Sequence, residues 1–481
     1  MCYTWILTAE HPPSSRPSYN AASSAFTIAL ALIYMAAFAS FGTQARGLVG
    51  HDGILPLATY LPAGPPGVSL FLRAPTLFWW SRGDLSILAV AWSGVALAAV
   101  AILAKPFSTW QRAIFAILYC YHLSIVSGGQ LFMEYQWDYL LLEVGFLALF
   151  LIPDRWRPLL FRCLLARLML ESGLVKILSH DLSWRNLTAL ARHYETQPLP
   201  APPAWLAAQL PLAFHRFSTA MVFVVELALP FLMFGPRRAR HIAGFGTIGL
   251  QLLIFLTGNY TYFNLLTIAL CLFLFDDDFL SRLRLRPARA PSAPARRPVT
   301  IALASVIAFL SIAEIWGMFA TPPAPVEAVI EAQAPFGIVN RYGLFAVMTT
   351  TRMEIEIEGS MDGETWLPYV LPHKPGPLGR APGWIAPLQP RLDWQMWFAA
   401  LGTARDNPWF TRLLLRLLEP SKPVLALFER TPFGERPPKY VRAMRYEYRF
   451  TSFEEHRRTG NWWFRESRGT YFPPASLRGR E

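Results

Sequence analysis

Long apolar runs dominate the chain, and a run of about 20 such residues is long enough to cross the hydrocarbon core of a bilayer as a helix. They lie at Ala25–Phe41, Asp84–Leu103, Arg112–Ser127, Asp138–Ile152, Leu159–Leu178, Ser218–Phe234, Ile242–Thr257, Tyr260–Phe275 and Val299–Phe319. A backbone in lipid must satisfy its own hydrogen bonds, so such runs fold as helices packed on one another. The pattern predicts a polytopic α-helical membrane bundle of about nine spanning helices, several near the short limit. The remaining composition agrees: 16% of residues are charged and 53% hydrophobic, whereas soluble domains carry about 25% charge.

The formal charge of +12 would suggest nucleic acid in a soluble protein. Here it is expected to sit in loops against a cytoplasmic leaflet, with the lipid bilayer as partner and no nucleic acid. The basic residues alternate. Lys105 and Arg112 follow the second run, Arg155 and Arg157 the fourth, and Arg237, Arg238 and Arg240 the sixth. Arg282, Arg284, Arg286, Arg289, Arg296 and Arg297 follow the eighth. The short loops after the third and seventh runs have none. By the positive-inside rule this places the N-terminus in the cytoplasm and everything after Phe319 in the lumen or periplasm. Met1–Asn20 is polar and proline-bearing, unlike a cleavable signal. The expected domains are a cytoplasmic segment 1–24, a helical membrane domain 25–319, a β-rich domain 320–460 and a loose tail 461–481.

After Phe319 the pattern changes. Met353–Glu358 alternates with period two, the mark of a half-buried strand, and Asp362-Gly363 reads as a hairpin turn. Val424–Phe428 and Tyr440–Phe450 read as further strands, and Arg391–Leu401 and Pro408–Leu418 as helices. Together they predict a soluble C-terminal domain, a β-sandwich with an inserted helical segment. Trp384, Trp394, Trp397, Phe398, Trp409 and Phe410 make it dense in aromatics, which read either as the domain's own core or, if exposed, as a protein-binding patch of Trp394, Trp397, Phe398, Trp409 and Phe410.

Ionisable residues at membrane depth need a partner or a task. Arg167 and Glu171 stand four apart on one helix face, the spacing of an intrahelical ion pair. Lys176 follows them, either as a snorkelling lysine or as a desolvated base. Glu143 lies a turn inside the fourth run and calls for a partner, with Arg167 and Lys176 as candidates. These four form an expected intramembrane polar network. Glu226, four residues before Pro230, reads as packing at a bent helix, and His122 as an interhelical hydrogen bond. No Cys-x-x-Cys, His-Glu-x-x-His, phosphate loop or nucleophile elbow occurs, so no metal and no cofactor are expected.

Several stretches together resemble the lipase maturation factor family of polytopic membrane proteins. They are Glu134-Tyr135-Gln136-Trp137-Asp138, Leu140-Leu141-Leu142-Glu143, His193-Tyr194-Glu195-Thr196-Gln197-Pro198-Leu199-Pro200 and Gly258-Asn259-Tyr260-Thr261 with Phe263-Asn264. Further along come Asn340-Arg341-Tyr342-Gly343-Leu344-Phe345, Glu358-Gly359-Ser360 with Asp362-Gly363 and Thr365-Trp366, and Pro390 through Phe398. The resemblance implies a non-enzymatic factor that assists folding and assembly of secreted lipases, its luminal domain contacting the client. It implies the endoplasmic reticulum membrane in a eukaryote, or the cytoplasmic membrane in a bacterium. A shorter stretch, Ser172-Gly173-Leu174-Val175-Lys176 with Asp181 and Trp184, is similar to the segment that holds the catalytic lysine of vitamin-K-dependent carboxylase. That implies a rival, an intramembrane enzyme with Lys176 as base. His193 and Glu195 lie on the same predicted outer side, where they read either as a loop anchor or as a second proton carrier for that enzyme.

Overall fold

The computed structural model describes residues 18–106, 108–149, 156–285, 297–434 and 436–477. Arg155, Arg286, Arg289, Arg296 and most of the polar N-terminal segment lie outside them.

The first two-thirds are helical, as the apolar runs predict. The principal helices are α1 (Asn20–Gly42), α2 (Asp84–Leu103), α3 (Thr109–Gly128), α4 (Gln136–Leu149) and α5 (Trp156–Leu178). They continue with α6 (Ala189–Thr196), α7 (Leu212–Leu232), α8 (Arg237–Thr257), α9 (Phe263–Cys271) and α10 (Arg297–Trp316). Among the described residues, α1, α2, α7 and α8 are each long and apolar enough to cross a membrane. Their outward faces carry bare apolar side chains, among them Leu85, Leu103, Phe231 and Leu253, a surface suited to lipid rather than water. The protein is therefore a membrane protein. α1 is the most enclosed of the four and packs along α2.

The two ends of the bundle differ. At one end Asp277 accepts hydrogen bonds from Ser18 Oγ (2.6 Å) and from the first amides of α1, at Asn20 (3.0 Å) and Ala21 (2.8 Å). Asp276 beside it pairs with Arg237 at the start of α8 (2.8 Å). The start of α1, the start of α8 and the segment after α9 therefore share one end. The C-terminal domain sits on the other.

That domain is one antiparallel sheet, not the expected sandwich. Among the described residues its strands are β1 (Arg352–Ser360), β2 (Leu367–Tyr369), β3 (Tyr440–Phe450) and β4 (Trp463–Ala475), in the order β2-β1-β3-β4. β1 and β3 pair in register from Arg352–Tyr448 to Ser360–Tyr440. The Asp362-Gly363 turn holds: Gly363 has φ +81°, and Asp362 accepts the amides of Glu364 and Thr365 (both 2.8 Å). Helix α11 (Arg391–Ala400) packs on β1 where a second sheet was expected. Its aromatic face supplies the cover that the sheet needs. Helix α12 (Pro408–Leu418) follows, burying Trp409, Phe410, Leu413, Leu414, Leu417 and Leu418 on one face.

Two further expectations are corrected. Val424–Phe428 is not a strand: Lys422–Leu425 forms a helical turn whose N-cap, Ser421, accepts the Val424 amide. The supposed loose tail 461–481 contains β4, an edge strand pairing with β3 through irregular register.

Candidate functional site

The residues singled out in the sequence converge on the seam between bundle and C-terminal domain. Asp138, in the first turn of α4, is fully buried, and Arg391 at the start of α11 clamps it with two bonds of 2.9 Å. Tyr262 donates to the same carboxylate (2.8 Å), and Arg391 also reaches the Phe132 carbonyl (2.5 Å). Next to it, Gln389 is held from three sides. Its carbonyl accepts from Gln44 Nε2 (2.7 Å), its amide donates to Ser40 Oγ (2.8 Å), and its side-chain oxygen accepts from Trp137 Nε1 (2.8 Å). Asn259 binds the same loop, taking the Ile385 amide (2.8 Å) and donating to the Gly383 carbonyl (2.9 Å).

The end of α6 is a second anchor. Arg352 of β1, fully enclosed, donates to the carbonyls of Glu195 and Pro198 (both 2.8 Å) and to that of Gln197. Glu195 in turn accepts the Phe450 amide of β3 (2.7 Å), and Trp397 donates to the Thr196 carbonyl (3.0 Å). Burial pushes the Glu195 carboxyl up from its ordinary value.

The third anchor is the polar network. Glu143 pairs with Arg167. Its other oxygen accepts Tyr342 Oη (2.8 Å) and the Asn340 amide (3.1 Å) from the segment leading into the sheet. The expected Arg167–Glu171 pair is not the arrangement found. Arg167 is drawn across to α4, and Glu171 accepts the Tyr342 amide (2.8 Å). Glu171 is as buried as Glu143, so burial does not decide between them; the Tyr342 amide takes the place of the guanidinium at Glu171. His122 meets its expectation, its Nε2 lying 3.1 Å from the Asp138 carbonyl.

Lys176 belongs elsewhere. Its Nζ lies 2.8 and 3.0 Å from the two oxygens of Glu226 and 2.9 Å from the Ser172 carbonyl. Both side chains are buried, so this is a paired lysine and not a snorkelling one. Glu226 is presented by a π-helical turn, Val224–Ala228, which accommodates Pro230. The sequence showed only the residue types, a lysine near the end of one apolar run and a glutamate in the middle of the next.

This pair lines a cavity of about 540 Å³, within the 300–1,000 Å³ usual for small-molecule sites. Its walls are apolar faces of α5, α7 and α8, and His193, Tyr194, Tyr260 and Phe345 close one end. Lys176 and His193 therefore share a chamber, whereas Glu195 is committed to β3. Among the described residues no three His, Cys, Asp or Glu side chains converge as a metal ion would need.

The aromatic patch is largely interior. Trp394, Trp397, Trp409 and Phe410 are 3, 7, 5 and 0% exposed. Trp394 packs edge-on to Trp137 with ring centres 4.9 Å apart, and Trp409 faces Phe132 at 6.1 Å. They are buried because the bundle covers the domain's apolar face. Phe398 and Trp384 remain open, at 44 and 54%.

Comparison with known proteins places this architecture. Residues 21–282 match a family model described as the lipase maturation factor transmembrane domain. Residues 338–473 match one described as the lipase maturation factor C-terminal domain. Lipase maturation factor 2 of Gallus gallus is 33% identical over 94% of this chain and 81% of its own length. The Homo sapiens protein of that name is 33% identical, over 94% and 82%. Lipase maturation factor 1 of Bos taurus is 34% identical, over 94% and 89%. No solved structure matches. Both halves of the fold and the residues that join them lie within these matches: the chain belongs to the lipase maturation factor family.

Proposed function

We propose that this protein is a membrane-embedded maturation factor that assists the folding and assembly of secreted lipases. The observation that carries this reading is the match of both domains, over nearly the whole chain, to proteins named for lipase maturation. The four long apolar helices, with α3, α4, α5, α9 and α10, make up nine spans. The N-terminus is cytoplasmic and the domain after Phe319 is luminal or periplasmic. The basic loops support this, as does the gathering of Ser18, Arg237 and Asp277 at the end remote from the sheet. The membrane is that of the endoplasmic reticulum in a eukaryote and the cytoplasmic membrane in a bacterium.

The client meets the exposed side of the C-terminal domain. Phe398 and Trp384 are available for first contact, while Trp394, Trp397, Trp409 and Phe410 act by holding that surface on the bundle. A photo-cross-linking amino acid at Phe398 or Trp384 in intact cells should capture a co-expressed secreted lipase. Cross-links to lipid alone from both positions would refute this contact.

One observation favours a second reading, an intramembrane enzyme with Lys176 as base: Lys176 and His193 line one cavity. Against it, the ammonium is already bonded to both oxygens of Glu226. Lys176→Arg keeps the pair and removes a usable base. Full lipase-maturing function of that variant is the expected result, and its loss at a normal membrane level would favour the enzyme.

A further inference from the structure

The cavity has an apolar body and one polar end, and the hydrogen bonds at that end settle what kind of head group fits. Gln197 Nε2 donates to the carbonyls of Thr257 (2.8 Å) and Tyr194 (3.2 Å), which fixes its amide orientation and leaves Oε1 as acceptor. Tyr260 Oη donates its one proton to that oxygen (2.9 Å). The contact of 3.2 Å between Tyr260 Oη and His193 Nε2 must then be donated by the imidazole. Burial, with the charge of Lys176 nearby, pushes the His193 pKa down to about 4, so the ring is neutral and carries its proton on Nε2. Nδ1 is left as an acceptor, without a partner among the described residues, on a half-buried ring that lines the cavity.

Lys176 offers no free proton to match. Its three donors face Ser172 and the two oxygens of Glu226. An incoming carboxylate or phosphate would have to displace Glu226 and leave that carboxylate buried and unpaired, which is costly. At His193, the ring that meets Tyr260 at this end, the free valence accepts a proton and does not donate one.

We propose that this cavity binds a single-tailed amphiphile with an uncharged hydroxyl head, of the long-chain alcohol or monoacylglycerol class. The tail lies along Phe217, Met221, Leu250 and Leu253, and the hydroxyl donates to His193 Nδ1. The site is independent of any contact between client and C-terminal domain.

Gly249 of α8 supplies the test. It lines the cavity, and a Cβ built on it meets nothing within 4 Å. Gly249→Leu therefore grows into the chamber while improving the helix. The full chain is reconstituted in phosphatidylcholine nanodiscs and labelled with a photoactivatable octadecanol, or with a photoactivatable octadecanoic acid. The alcohol should label cavity-lining peptides of α7 and α8 and be competed by unlabelled octadecanol. Gly249→Leu should abolish that competable labelling without lowering the melting temperature; were the melting temperature to fall, Met221→Trp fills the chamber from the opposite wall. His193→Phe should raise the half-saturating concentration about tenfold, the effect of losing one well-made hydrogen bond. Labelling that is not competed, or that survives filling of the cavity, would reflect bulk lipid contact and overturn the proposal. So would an acid probe binding as well as the alcohol.

Discussion

Arg391→Met is expected to destabilise the protein by about 3–5 kcal/mol, because it leaves the Asp138 carboxylate buried without its cation. The carboxylate is fully enclosed, and Tyr262 is its remaining side-chain donor. The same substitution frees the start of α11, and with it the loop that Gln44, Ser40 and Asn259 hold. A lower melting temperature should therefore come with new protease sensitivity between residues 372 and 401. The double variant Arg391→Met with Asp138→Asn should recover much of the loss, since no unpaired charge remains. A single variant that melts like the wild type would mean that the seam is not held by this pair.

Glu143→Leu should cost a similar amount, about 3–5 kcal/mol. It strands the Arg167 guanidinium, 3% exposed, and removes the acceptor for Tyr342 Oη and the Asn340 amide. Two milder variants separate these effects. Glu143→Gln keeps an acceptor but removes the charge, and should fall between Leu and wild type. Tyr342→Phe removes one hydrogen bond and should cost about 1–2 kcal/mol. Thermal melting of the purified protein orders the three. An order in which Tyr342→Phe exceeds Glu143→Leu would contradict the assignment of the ion pair as the principal anchor.

Both predictions place the weight of the fold at the joint between its two parts. What the sequence made legible, and what it hid, follows the range of the interactions. The apolar runs are a local signal, and the helices appear where they stand. β1 alternates cleanly, and its Asp-Gly turn needs positive φ, so strand and turn were both readable. β4 was not, because Gly469, Pro473 and Pro474 interrupt it and its exposed edge carries charge instead of alternating apolar residues. Val424–Phe428 is apolar enough for a strand, but the Ser421 cap and Pro423 favour a helical turn.

At the site, residue types were legible and partners were not. Glu143 was rightly expected to need a cation. That Arg167 would choose Glu143 over Glu171, and Lys176 would choose Glu226, depends on how separate helices are arranged. The aromatic residues of α11 and α12 look like a binding face because their apolar stripes are wide. They are wide because they serve two neighbours, the sheet and the bundle. The motif stretches around Asp138, Gln197, Asn259 and Arg391 are thus mainly the fittings of a joint.

The most direct test of the maturation role is the specific activity of a secreted lipase, its activity per amount of lipase protein. It should be measured in cells lacking their own lipase maturation factor, with and without this chain. The chain should raise specific activity, and Arg391→Met should raise it less, in proportion to the variant's remaining folded fraction. Unchanged specific activity, with the wild-type chain folded and present in the membrane, would contradict it.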